Sequence, residues 1–167
     1  MTEPGPPGAT KARAPLDTVP RAAAVLGFAG VIPFAAAALG VWLLPDHHAA
    51  TALFAQLAYG AAILSFLGGV HWGYALADAA GGRGTEAAFS LRLGWSVLPA
   101  LVAWASLLLA PIPALGVLLV AFAAHFTGDR IAAARGYLPP WYARLRKHLT
   151  ALVVACLGAA LVRLLAH

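Results

Sequence analysis

The chain has 167 residues, of which 62% are hydrophobic and 10% are charged, and its mean hydropathy is +0.82. A soluble domain of this size needs a far more polar surface, so the composition excludes an ordinary soluble protein and predicts an integral membrane protein. The formal net charge of +5 does not indicate nucleic-acid binding, because the Lys and Arg residues cluster beside hydrophobic segments, as they do at a membrane surface.

The first twenty residues, 1–20, are rich in Pro, Gly and Ala and contain no apolar run. Such a segment cannot bury enough apolar surface to offset the entropy of ordering, so we predict a disordered amino-terminal tail. It lacks the amphipathic, Arg-rich and acid-poor pattern of a mitochondrial presequence, which favours a bacterial inner membrane. Residues 21–167 are predicted to form a single transmembrane helical domain.

The first apolar run, residues 22–44, is long enough to span a bilayer. A signal peptide is the competing interpretation, but its apolar region is usually only ~7–15 residues long, which favours a retained helix. Pro33 lies in the middle of this run and is expected to kink the helix. The polar turn that follows, residues 45–48, contains adjacent histidines that cannot converge on one metal ion, and is predicted to be a solvated loop.

The second run, residues 52–77, carries two lines of side chains. The first line has small residues at every fourth position and consists of Ala61, Ser65, Gly69, Gly73 and Ala77. Such a stripe lets the backbone of another helix approach closely. The second line lies on roughly the opposite side and consists of Gly60, Leu64, Gly68, His71, Ala75 and Asp78. Both faces are therefore predicted to be packed by protein, which places this second helix at the centre of the bundle.

Two shorter apolar runs follow, at residues 93–110 and 112–127. They form either two spans or one re-entrant hairpin, and charge does not distinguish these alternatives because both return the chain to the same side. We favour two spans, because the Pro-Ile-Pro tip at residues 111–113 is short and Trp104 lies near the far interface.

Residues 128–148 form the most basic stretch of the chain and precede a last apolar run that starts near residue 149 and ends near residue 166. Basic side chains mixed with aromatic rings are typical of contact with anionic lipid headgroups. The residues predicted to lie at this membrane surface are Arg135, Trp141, Tyr142, Arg144, Arg146 and Lys147.

Five spans place every Lys and Arg except Arg163 on one side of the membrane. The positive-inside rule then predicts a cytoplasmic amino terminus and a periplasmic carboxyl terminus. The fold class is therefore predicted to be an all-α, polytopic bundle of about five transmembrane helices.

Two histidines lie at membrane depth, and each shares a helix face with a nearby acidic residue. Helical spacing and the predicted topology bring these groups toward the same, cytoplasmic half of the bilayer. The candidate polar cluster consists of His71, Trp72, Asp78, Arg92, Trp95, Ser96, His125, Asp129 and Arg130.

The cluster has two interpretations. It could bind a quinone, a lipid headgroup, a small solute or a b-type haem through His71 and His125, or relay protons, since ionisable residues within a membrane are often functional. Alternatively, its side chains hydrogen-bond helices to one another near the interface, which is the interpretation we favour. The sequence contains no HExxH, GxSxG or paired carboxylates at membrane depth, so we expect no enzyme, metal site or cofactor.

Four stretches carry a family resemblance: YGAAILSFLGGVHWGYAL in the second run, GVIPF before it, LGWSVLP after it and LPPWYARLR before the last helix. Together they resemble a bacterial domain-of-unknown-function family, DUF3429, which is related to mitochondrial transmembrane protein 69. The resemblance covers roughly residues 22–165 and implies a small polytopic membrane protein without an established activity. We therefore expect a non-enzymatic assembly, scaffold or regulatory protein that has a membrane-protein partner or forms a homo-oligomer.

Overall fold

The computed structural model describes residues 18–82 and 85–166, and all regular secondary structure in these ranges is helical. The helices are α1 (Arg21–Ala29), α2 (Ile32–Leu43), α3 (Asp46–Ala80), α4 (Glu86–Ser106), α5 (Pro111–Ala134) and α6 (Pro140–Leu165). Helices α1 and α2 together form the first of five segments that are long and apolar enough to cross a membrane. The predicted all-α bundle of five spans is confirmed. The predicted disordered tail lies almost entirely outside the described residues.

The first span is interrupted between Ala29 and Ile32. Pro33 occupies the first turn of α2, where its missing N–H costs nothing, but it cannot donate a hydrogen bond back into α1. The Tyr59 hydroxyl of α3 donates to the Gly30 carbonyl at this break, over 3.1 Å. The predicted kink is confirmed, and the proline separates two short helices.

Helix α3 has 35 residues and measures about 52 Å at ~1.5 Å per residue, so it is longer than a bilayer is thick. It begins at Asp46, where an acidic residue in the first turn interacts favourably with the helix dipole. The prediction of a polar loop at residues 45–48 is therefore wrong for residues 46–48, which are exposed but form the first turn of α3.

Helices α4 and α5 have 21 and 24 residues, so each is long enough to span, and the two-span prediction is confirmed. Both helices are longer than the apolar runs that predict them. The extra residues lie near the basic end of the bundle, where charged residues continue each helix. Pro111 and Pro113 lie in the first turn of α5 and do not form the connection, which occupies residues 107–110. Pro140 starts α6 in the same way.

Helices α3 and α5 form the middle of the bundle. Helix α3 packs against α2, α4 and α5, while α5 packs against α3, α4 and α6, and α2 meets α6 on the far side. The largest completely buried apolar side chains are Phe34, Leu64, Leu115, Leu118, Phe122 and Leu157. Of the five spans, α3 has the greatest buried share, so its predicted central place is confirmed.

The two faces of α3 differ from the prediction. The line through Gly60, Leu64, Gly68 and Ala75 is buried, whereas Gly69, Gly73 and Ala77 of the small-residue stripe are exposed. A Cβ atom at Gly69 or Gly73 would meet no atom of the described chain within 4 Å. Earlier in the same stripe, Ala61 is buried, and the half-buried Ser65 donates a hydrogen bond from its hydroxyl to the Ala61 carbonyl. The prediction of close packing at residues 69, 73 and 77 is wrong for the single chain, because small residues permit a close contact without requiring one.

The close contact occurs one residue earlier, at Gly68, where a Cβ atom would overlap the Ser96 carbonyl oxygen of α4. Gly68→Ala should therefore force α3 and α4 apart and destabilise the protein by ~1–3 kcal/mol, as other overpacking substitutions do. Gly69→Ala is the matched control and should be neutral or slightly stabilising, because alanine favours a helix and this position is open. Thermal unfolding of both variants in detergent tests the difference, and equal melting temperatures would contradict this account of the α3–α4 contact.

Candidate functional site

The most buried charged group at membrane depth is the Asp129 carboxylate of α5, whose side chain is 0% exposed. Its Oδ1 atom accepts a hydrogen bond from His71 Nε2 of α3 over 2.8 Å. Its Oδ2 atom accepts one from Arg146 Nε of α6 over 2.7 Å. An ionised carboxylate only accepts hydrogen bonds, so His71 Nε2 carries a proton. Three helices are thus joined at a single carboxylate, and we call these residues together with His125 the Asp129 network.

His125 lies one helical turn before Asp129 on α5 and is also buried. Its Nε2 atom is 3.7 Å from Asp129 Oδ1, which is beyond hydrogen-bond distance. Its ring packs edge-to-face on the ring of His71, with the ring centroids 5.2 Å apart. Both ring nitrogens of His125 are buried and neither has a hydrogen-bond partner among the described residues, so its contact with the network is the packing against His71.

The pairing of Asp129 with Arg146 provides the electrostatic balance of the network. Both side chains are withdrawn from solvent, with exposures of 0% and 5%. A lone charge at this depth would be costly, whereas a hydrogen-bonded pair of opposite charges is tolerated. The network is neutral when both histidines are neutral.

Arg146 differs from its predicted position. The sequence predicts it at the membrane surface, but it is only 4% exposed, so that prediction is wrong. Of the other predicted surface residues, Arg135, Arg144 and Lys147 are exposed, while Trp141 and Tyr142 are half-buried. A signal was present, because Arg146, Thr150, Val153, Leu157 and Ala160 follow one another in steps of four and three and form one buried face of α6.

A second ion pair lies nearer the basic end of the bundle. Arg92 Nη1 of α4 donates to Asp78 Oδ2 of α3 over 2.6 Å, and the two side chains are 27% and 26% exposed. The Arg92 guanidinium also lies 4.0 Å from the centre of the Tyr137 ring, in a cation–π contact. The predicted polar cluster is therefore divided into a buried network and an outer pair.

The remaining members of the predicted cluster have other environments. The Trp95 ring packs against Gly128, where a Cβ atom would come within 2.8 Å of it. The buried Ser96 donates its hydroxyl to the Leu93 carbonyl of its own helix over 2.7 Å. Trp72 and Arg130 are exposed and lie outside the network.

The network contains side chains that are potential ligands of a metal ion or a haem. One potential ligand atom from each of His71, His125 and Asp129 lies within 4.8 Å of the others, so by distance these residues could hold a metal ion. However, Arg146 already places a positive charge on the same carboxylate and would oppose a divalent cation. Haem does not fit this pair of histidines, because both Nε2 atoms lie near the same Asp129 oxygen and the rings touch, which leaves no room for a porphyrin between them.

Five membrane-length segments packed as a bundle, three of them joined at one buried carboxylate, define a polytopic α-helical membrane protein. The chain belongs to the family described as Protein of unknown function (DUF3429), whose sequence model matches residues 19–162, so the resemblance seen in the sequence is confirmed.

Transmembrane protein 69 of Xenopus tropicalis is 36% identical over 151 residues, which cover 88% of this chain and 56% of that protein. Transmembrane protein 69 of Mus musculus is 34% identical over 89 residues, which cover 53% of this chain and 34% of that protein. The chain thus spans about half the length of the first of these curated relatives and about a third of the second. No solved structure matches the chain.

The burial difference between the two ion pairs yields a prediction. Asp129→Asn should destabilise the protein by ~3–5 kcal/mol, because it leaves the Arg146 charge buried without a counter-charge. Asp78→Asn, the matched control, should cost only ~0–1 kcal/mol, because that pair is partly exposed to water. Thermal unfolding in one detergent compares the two variants, and a larger loss from Asp78→Asn would show that the buried network is not the main electrostatic link.

Proposed function

We propose that this protein acts in its membrane as a non-enzymatic scaffold, assembly or regulatory protein, and that the Asp129 network is a structural clamp. The observation that carries this proposal is the complete burial of Asp129, with one oxygen hydrogen-bonded to His71 and the other to Arg146. A carboxylate that abstracts a proton or positions a substrate needs an oxygen that the substrate can reach.

Other polar side chains of the described spans support this proposal. The hydroxyls of Ser65, Ser96, Ser106 and Thr127 donate to carbonyls of their own helices. Trp42 Nε1 donates to the Ala159 carbonyl over 3.0 Å, and Gln56 Nε2 donates to the Cys156 carbonyl over 3.1 Å. The four hydroxyl bonds lie within single helices, whereas the bonds of Trp42 and Gln56 each join one span to α6, as polar groups do when they hold helices together within a bilayer.

Partners are part of the proposal. The exposed face of α3 at Gly69 and Gly73 offers close approach to a helix of a membrane-protein partner or of a second copy. Exposed Arg135, Arg144 and Lys147 suit anionic lipid headgroups at the basic end.

A structural clamp should work equally well without its charges. Asp129→Asn combined with Arg146→Gln removes both charges and keeps hydrogen-bonding side chains, so the double variant should be more stable than either single variant. It should also reverse the phenotype caused by deleting the gene. Melting temperatures and complementation measure these outcomes. A double variant that folds at normal levels but fails to complement would contradict the structural role.

The proposed location is a bacterial inner membrane, with the basic end in the cytoplasm. That end carries Arg21 at the start of the first span together with the connections on either side of α4–α5, while Arg163 lies near the opposite end. A reporter that is active only in the periplasm should work when fused after His167 and fail when inserted at Arg135. The reverse result, or the same result at both positions, would contradict this orientation.

A further inference from the structure

A cavity of about 390 Å³ lies at the basic end of the bundle, between α3, α4, α5 and the loop that precedes α6. It extends inward to His71, which lies nine residues before the end of α3 at Ala80, or about 14 Å at ~1.5 Å per residue. Leu91 and Ile131 also line it and are 77% and 48% exposed. The cavity therefore opens on the outer surface of the bundle, close to its basic end.

The wall of this cavity carries a positive charge that the described chain does not balance. Arg92 and Arg135 both line the cavity, and no acidic residue is among the described residues that line it. The charge of Arg92 is paired with Asp78 over 2.6 Å. Arg135 is exposed, and no carboxylate of the described residues lies within ion-pair distance of it. The wall thus presents one guanidinium that can pair with an anion from outside the chain.

The rest of the wall suits a lipid better than a soluble anion, because apolar and aromatic side chains form most of it. Trp95 and Tyr137 are 41% and 43% exposed and line the cavity. Such rings are enriched where the hydrocarbon of a bilayer meets the headgroups. Basic pockets between spans on the cytoplasmic side bind the headgroups of anionic lipids. The occupant should therefore combine a negative charge with an apolar body.

We propose that this cavity binds one anionic phospholipid, whose phosphate pairs with Arg135 and whose acyl chains leave the cavity over Leu91 and Ile131. The planar guanidinium of arginine presents paired donors that match the oxygens of a phosphate. The volume is within the range of small-molecule sites, and the exposed apolar side chains at the opening continue the site along the outside of the bundle. This site rests on the proposed location of the basic end at a headgroup layer, and it adds one defined lipid to that general contact.

Native mass spectrometry of the purified full-length protein in detergent tests the proposal. The protein is titrated with dioleoyl phosphatidylglycerol or with dioleoyl phosphatidylcholine, and the affinity for the first bound lipid is compared. Phosphatidylglycerol should bind about tenfold more tightly, because the choline cation of the other lipid offsets the charge of its phosphate. Equal affinities for the two lipids would overturn the proposal.

A pair of charge variants identifies the cation. Arg135→Gln should weaken the binding of phosphatidylglycerol about tenfold, the effect of losing a hydrogen bond to a charged group. Arg130→Gln is the matched control, because Arg130 is also exposed but does not line the cavity, and its affinity should be unchanged. Both positions are exposed, so both variants should keep the melting temperature of the parent protein. Equal affinities of the two variants would overturn the assignment of the phosphate to Arg135.

A second pair of variants tests the location. Ala132 lines the cavity, so Ala132→Trp should fill it and abolish the preference for phosphatidylglycerol. Ala134 is exposed outside the cavity, so Ala134→Trp should bind normally, and the same preference in both variants would overturn the location. Glycerol phosphate that binds as tightly as phosphatidylglycerol would overturn the assignment of a lipid. Complementation by the double variant that lacks the Asp129 and Arg146 charges does not depend on these results, so the lipid site and the structural clamp fail separately.

Discussion

The structure depends on one buried charge, the Asp129 carboxylate, which needs a counter-charge at membrane depth. Asp129 is completely buried at membrane depth, and its carboxylate is held by Arg146 from one side and His71 from the other. Burying one ion without a partner is far more costly than burying a hydrogen-bonded pair. Helices α3, α5 and α6 must therefore meet at this level, in the rotations that direct these three side chains to one point.

The other helices attach to this triple junction by different means. Helix α4 approaches α3 at Gly68, and its Trp95 ring packs against Gly128 of α5. The first span is fastened by hydrogen bonds from Tyr59 and Trp42, but α1 contributes no buried residue. The bundle therefore packs closely where α4 meets Gly68 and Gly128, although cavities of about 500 Å³ and 390 Å³ also lie beside α4.

Arg146 supplies the positive charge that balances Asp129, because its Nε atom donates to the carboxylate over 2.7 Å. Its Nη2 atom is buried and has no partner among the described residues. One guanidinium presents several donors in a fixed plane, so a single hydrogen bond through Nε leaves other donors of the same group unused.

The sequence alone determined the five spans, the central place of α3, the break near Pro33 and the placement of His71 and Asp129 in the same half of the bilayer. Bilayer thickness and helical period constrain where apolar runs and polar groups can lie. Only the tertiary structure decided which face of α3 is packed against another helix. Gly68 and Gly69 are identical residues, but Gly68 faces α4 and Gly69 faces no other part of the described chain. It also moved Arg146 from the predicted surface to the centre of the network. A basic residue near a membrane interface can extend to headgroups or turn inward to a carboxylate. Arg146 shares a helix face with apolar residues of α6, but its inward direction depends on a carboxylate that another helix supplies.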